Sequence, residues 1–122
     1  MSVLGPFRRF LLRMSESDEE RLAEEIQEWA ATVPGTVRIR DAPTRSRVKV
    51  AGVVKRITVR PLAGFESLEA LISDGTGEMS VLWMGRRSVP GLTLGTRIVV
   101  EGVIAEERGA LKMVNPTFEF AA

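Results

Sequence analysis

Between Ala42 and Phe65 the chain carries six cations, Arg45, Arg47, Lys49, Lys55, Arg56 and Arg60, and no acid. Such groups hold phosphate oxygens through charge-assisted hydrogen bonds, and arginine does so with two parallel N–H donors. The run that carries them, R-V-K-V-A-G-V-V-K-R-I-T-V-R, is dense in β-branched residues. Arg45, Arg47 and Lys49 alternate with Val48 and Val50, and beyond Gly52 the residues Arg56, Thr58 and Arg60 alternate with Ile57 and Val59. Successive side chains of a strand point to opposite faces. One long strand is therefore expected to bury its aliphatics and present a row of positive charge. Such a row suits a polyanion.

Other residues extend this candidate surface. Arg86 and Arg87 follow a predicted strand directly, where paired arginines suit bidentate phosphate contact. Phe65 belongs to a loop, P-L-A-G-F, and either stacks a base or plugs the end of a barrel. Lys112 alternates with Leu111 and Met113 and is expected to point outward. Catalytic chemistry has little to work with. The chain has no cysteine and no histidine, which removes disulfides, thiolate and Ser-His nucleophiles and the commonest zinc ligands. Glu101, Glu106 and Glu107 have no base, nucleotide loop or metal cluster beside them, and Asp74 reads as a turn former. No catalytic residue, cofactor or metal is expected.

The elements that must position these side chains are legible in outline. Residues 1–14 hold three arginines and no acid and read as a flexible basic arm. An acidic amphipathic helix is expected over 15–32: Ser17 and Glu20 make a capping-box pattern, and Leu22, Ile26 and Trp29 form a narrow apolar stripe. This helix could dock on the rest of the domain, offer its stripe to a partner, or act as an internal polyanion mimic. In the last case, deleting residues 1–34 is expected to tighten nucleic-acid binding.

From Arg38 onward the chain reads as β. The segment L-E-A-L-I-S-D-G-T-G-E-M-S-V-L-W-M-G is a hairpin with Asp74 to Gly77 as its loop. This register sets Leu68, Ala70, Ile72, Met79, Val81 and Trp83 on one apolar face, so Trp83 belongs to the core rather than to a stacking platform. Glu69, Leu71, Ser73, Ser80, Leu82 and Met84 take the other face, where Leu71 and Met84 can meet bases or receive the helix. A non-strand connection, Arg86 to Thr93, precedes a fourth strand, and a fifth stops at Asn115-Pro116 because proline cannot donate to a ladder. Five short strands point to a small barrel at 38–120.

Length and composition agree with one domain: 122 residues, 44% apolar, 27% charged. The net charge of +1 conceals an asymmetry, since residues 15–31 set seven acids against Arg21 while residues 32–122 set thirteen cations against nine acids. No apolar stretch approaches the ~18 residues of a membrane span, and the start lacks a secretory pattern. A cytoplasmic protein without membrane partners is expected.

The phrases V-A-G-V-V, S-D-G-T-G, W-M-G-R-R, L-G-T-R-I-V-V-E-G and M-V-N-P resemble those of oligonucleotide/oligosaccharide-binding (OB) folds, mainly-β five-stranded Greek-key barrels. They look like OB domains of the tRNA-anticodon type and are similar to the wedge domain of branch-migrating DNA helicases. They are most similar to small stand-alone OB-fold nucleic-acid-binding proteins of actinobacteria, which also set a basic arm and an acidic helix before the barrel. The resemblance covers roughly residues 45–120. It implies binding of single-stranded or branched DNA, DNA being favoured over RNA, with no catalysis, since no G-x-x-x-x-G-K-[ST] phosphate loop is present. Phosphates are expected at Arg45, Arg47, Lys49, Arg56, Arg60, Arg86 and Arg87, and bases at Phe65, Leu71 and Met84. The alternative is an adaptor that holds a repair or replication protein on the barrel or the helix stripe.

Overall fold

Alternating and β-branched stretches dictate strands. The computed structural model, which describes residues 5–62 and 64–121 and the side chains of residues 18–61 and 64–121, forms six of them. These are β1 (Arg47–Leu62), β2 (Phe65–Ser73), β3 (Glu78–Met84), β4 (Arg97–Glu107), β5 (Ala110–Val114) and β6 (Thr117–Ala121). They follow α1 (Gly5–Thr32) and a single 3-10 turn, Ile39–Asp41. The sheet runs β1-β2-β3-β5-β4, and an additional β1–β4 ladder closes it into a barrel. Among these six strands β3 and β5 alone pair in parallel. This is the five-stranded barrel the sequence predicts.

Closure depends on β1, whose 16 residues reach about 50 Å at strand rise. Its first half pairs with β4, from Arg47↔Val103 to Val53↔Arg97, and its second with β2, from Val53↔Ser73 to Leu62↔Phe65. Between them the register slips at Lys55, which has no partner in the β1–β2 ladder. Such a bulge bends a strand and reverses which residues face inward. Val48, Val50 and Val54 point into the core before it, and Ile57 packs against that core after it. Both sets of cations therefore stay outward, but the change of partner from β4 to β2 makes the single positive row expected from the sequence two rows on two walls.

The β2–β3 hairpin has the expected register, with Ile72 opposite Met79, Ala70 opposite Val81 and Leu68 opposite Trp83. All six of these side chains are buried, joined in the core by Ile98, Val100, Ile104 and Met113. Trp83 meets Phe118 edge to face at 5.3 Å between ring centres. The hairpin loop is tied by Asp74, whose carboxylate accepts hydrogen bonds from the Thr76 and Gly77 backbone and, at 2.8 Å, from the Ile39 N–H. That last bond seats Ile39 in the core, 2% exposed.

Two elements differ from expectation. The helix begins at Gly5, not near Ser17, so the segment read as a basic arm is helical in backbone from residue 5. Pro6 falls in the first turn, where a missing N–H costs nothing, and no breaker follows until Val33-Pro34. The Ser17–Glu20 pattern thus lies inside the helix. A sixth strand follows Pro116 and pairs Thr117–Ala121 with Glu101–Arg97 of β4. It continues the edge that β5 began, after a kink at Asn115, which has φ of 49°. No helix among the described residues is long and apolar enough to cross a membrane.

α1 docks on the wall shared by β1 and β4. Ala30 packs on Ala51 and Val99, with Trp29 and Val33 beside them, and Ile26 is buried while Leu22 stays half exposed. The Arg97 guanidinium lies over the Trp29 ring at 4.9 Å. Gly75 makes the close approach at the hairpin loop, because a Cβ there would sit 2.3 Å from the Ala23 carbonyl oxygen. The helix therefore leaves the outer face of β2 and β3 open.

Candidate nucleic-acid interface

Residues directly opposite in a ladder share a face, so the strand registers define the open surface row by row. The first row runs Arg60, Ser67, Met84; the second Thr58, Glu69, Leu82, Val114; the third Arg56, Leu71, Ser80, Lys112. Phe65, opposite Leu62 at the tip of the β1–β2 hairpin, extends the first row's face and is 48% exposed. It is not a plug. At the other border stands the β4–β5 turn, with Arg108 in a left-handed conformation at φ of 54° followed by Gly109. Turn and sheet enclose a cleft of about 380 Å³ lined by residues of all three rows together with Glu107, Arg108 and Leu111.

Apolar and charged groups alternate across this surface. Met84 and Val114 are each 39% exposed, whereas Leu82 is nearly covered. Two ion pairs flank the cleft: Arg60 Nε to Glu69 Oε2 at 2.9 Å, and Lys112 Nζ to Glu107 Oε2 at 3.3 Å. Arg56 and Arg108 have no acid partner among the described residues. A surface of this kind can hold phosphates at its rim cations and the flat faces of bases on Leu71, Met84 and Phe65.

Of the ten residues expected at the site, Arg56, Arg60, Phe65, Leu71 and Met84 come together here. Arg47 and Lys49 stand on the helix-bearing wall, opposite Val103 and Glu101, and Arg47 Nε meets Glu101 Oε2 at 3.1 Å. Arg45 precedes β1, and its N–H donates to the Ile104 carbonyl at 2.7 Å. Arg86 and Arg87 lie past Met84 near the β1–β2 hairpin. The Arg87 guanidinium makes a close charge contact with Glu66, which alternation sets on the side of β2 away from Ser67. Lys112 points outward as its alternation predicts, whereas sequence reasoning left out Ser67 and Glu69, although the hairpin register already assigned Glu69 to the outer face. Arg108 carried no local signal beyond its Arg-Gly turn.

No family model and no curated protein matches the chain. Solved structures do, at the level of the fold. The HINb domain of p204 superposes with a TM-score of 0.58 at 16% identity, covering 70% of this chain and 47% of that one. The OB domain of Ta0387 from Thermoplasma acidophilum gives 0.56 at 19% identity, covering 70% and 86%. A replication protein A heterotrimer bound to single-stranded DNA gives 0.50 at 14% identity, covering 62% and 57%. The chain thus spans about half the length of the p204 and replication protein A chains it resembles. Barrel order and these likenesses define the class: the chain is an OB-fold barrel with an N-terminal helix.

Proposed function

We propose that this chain binds single-stranded or branched DNA, in preference to RNA and without catalysis, across the outer face of β1, β2, β3 and β5. The observation that carries this is the clustering of Arg56, Arg60 and Lys112 around Leu71, Leu82 and Met84, with Phe65 exposed at the hairpin tip. Arg56 and Arg60 contact phosphates, with Arg86 beyond the end of β3 as a further contact, while Arg87 is held by Glu66 on the other side of β2. Most such contacts read the backbone and base faces, which carry little sequence information. The likeness to a replication protein A structure bound to single-stranded DNA supports the ligand class. With five Phe and two Trp in the chain, affinity is modest and strongly salt-dependent.

Fluorescence anisotropy of labelled single-stranded DNA, single-stranded RNA and a three-way junction, titrated at several salt concentrations, tests this. The expected result is a log Kd that rises linearly with log salt, with a slope of roughly 0.7 per phosphate contacted on single strands. Absence of binding at low salt sinks the proposal. It also moves the assignment to a protein adaptor, which one observation favours: Leu22 and Leu94 are both exposed beside a groove between α1 and the Gly95 turn.

A further inference from the structure

The cleft at the centre of the proposed face has a property that phosphate binding does not explain. The least exposed member of the ion pairs lining it is an acid. The Glu69 side chain is 17% exposed, far less than its partner Arg60 at 60%, and it sits in the middle row of the sheet. A carboxylate there repels phosphates, so the strand's backbone must follow the rim and something that donates hydrogen bonds must point inward. Beside it, Ser67 is completely buried, lines the same cleft, and its hydroxyl has no partner.

We propose that this cleft takes a single unstacked guanine of the bound strand and that Glu69 selects it. The inference rests on the nucleic-acid reading above and deepens it. The Arg60 Nε uses one acceptor position on Oε2, which leaves Oε1 and the second lone pair of Oε2. Two adjacent acceptors on a fixed carboxylate match two adjacent donors. Guanine alone among the bases has them on its pairing edge, at N1–H and the 2-amino group. Cytosine and adenine offer one amine each, and thymine a single N3–H. The terminal nitrogens of Arg60 supply donors for O6. Leu82 and Leu111 provide apolar lining for the ring, and about 380 Å³ accommodates a purine. Glu107, on the opposite side, is 66% exposed and too loosely held to select.

The test uses the full chain and fluorescein-labelled dT10, together with dT10 carrying one central deoxyguanosine, deoxyinosine, deoxyadenosine or deoxycytidine. The guanine strand is expected to bind about tenfold more tightly than dT10, in line with one good bidentate base contact. Inosine, which lacks only the 2-amino group, falls most of the way back. In Glu69→Gln the ratio of guanine-strand to dT10 affinity is expected to fall to about one, whatever the variant's own affinity for dT10, since an amide offers one acceptor where two are needed. Equal binding of all five strands by the unmodified chain overturns the guanine pocket while leaving the broader reading intact. Equal binding of guanine and inosine overturns it too, and this comparison needs no variant to fold. A preference that survives in Glu69→Gln reduces Glu69 to the counter-charge of Arg60. Failure of every strand to bind at low salt removes both proposals.

Discussion

The two halves of β1 carry the same kind of residue and stand in different company. Arg47 and Lys49 project from the wall shared with β4, beside Glu101, and two residues further on α1 seals Ala51 and Val99. Arg56 and Arg60 project from the face shared with β2, among Leu71, Leu82 and Met84. A positive strand becomes an interface where its neighbours leave accessible apolar surface beside the charge. Where a helix takes that surface, the cations that remain are solvated or paired with acids. The bulge at Lys55 keeps both sets of cations outward, and the change of partner from β4 to β2 separates the two situations.

This contrast predicts that the helix-bearing wall controls stability and the open face controls affinity. Ile26→Ala is expected to have the largest effect, since it removes a buried side chain from the seam: about 2–4 kcal/mol by urea denaturation. Anisotropy on single-stranded DNA should show the folded variant binding as before. A loss of affinity in the folded protein would mean that the two walls are coupled. Arg56→Ala/Arg60→Ala is expected to do the reverse, weakening binding about thirtyfold, roughly 2 kcal/mol, with little change in the urea midpoint. Arg47→Ala/Lys49→Ala provides the matched control and is expected to change affinity less than about twofold and stability by less than about 1 kcal/mol, because exposed ion pairs contribute little. Equal loss in both double variants would restore the single continuous row.

Much of this contrast was legible in one dimension and some was not. The D-G-T-G loop between alternating segments sets the β2–β3 register, and from it follow the buried Trp83 and the outward Leu71 and Met84. Even the bulge leaves a mark: the buried valines of the first half have even numbers, whereas Ile57 is odd. A strand cannot bury both sets without an extra residue between them. What the chain does not print is which neighbour each half meets, because the β4 and β2 partners are set by closure over long separations. β6 was hidden by Pro116, read as an end when it marks a kink in a strand that resumes. The docking place of α1 depends on the small residues Ala30, Ala51 and Gly75, and no periodic pattern marks them. The Arg60–Glu69 pair is diagonal across the ladder, since each faces another residue directly, so it too appears only once the sheet is built.

The smallest expected effect sharpens the comparison most, because it asks whether the acidic helix acts on the open face at all. If α1 mimics a polyanion, its carboxylates compete with DNA for the barrel's cations, and neutralising them tightens binding. The structure docks α1 on the β1–β4 wall through Ala30 on Ala51 and Val99, whereas Arg56 and Arg60 stand on the face shared with β2. At physiological salt the Debye length is about 8 Å, so exposed charges across a barrel are largely screened from one another. Glu24→Gln/Glu25→Gln/Glu28→Gln is therefore expected to leave affinity for single-stranded DNA within about twofold at 150 mM salt. At about 10 mM salt, where screening reaches about 30 Å, the same variant should bind somewhat more tightly through the overall change in charge. A marked tightening that persists at 150 mM would mean that the carboxylates of α1 reach the open face directly. The helix would then regulate binding as well as seal the seam.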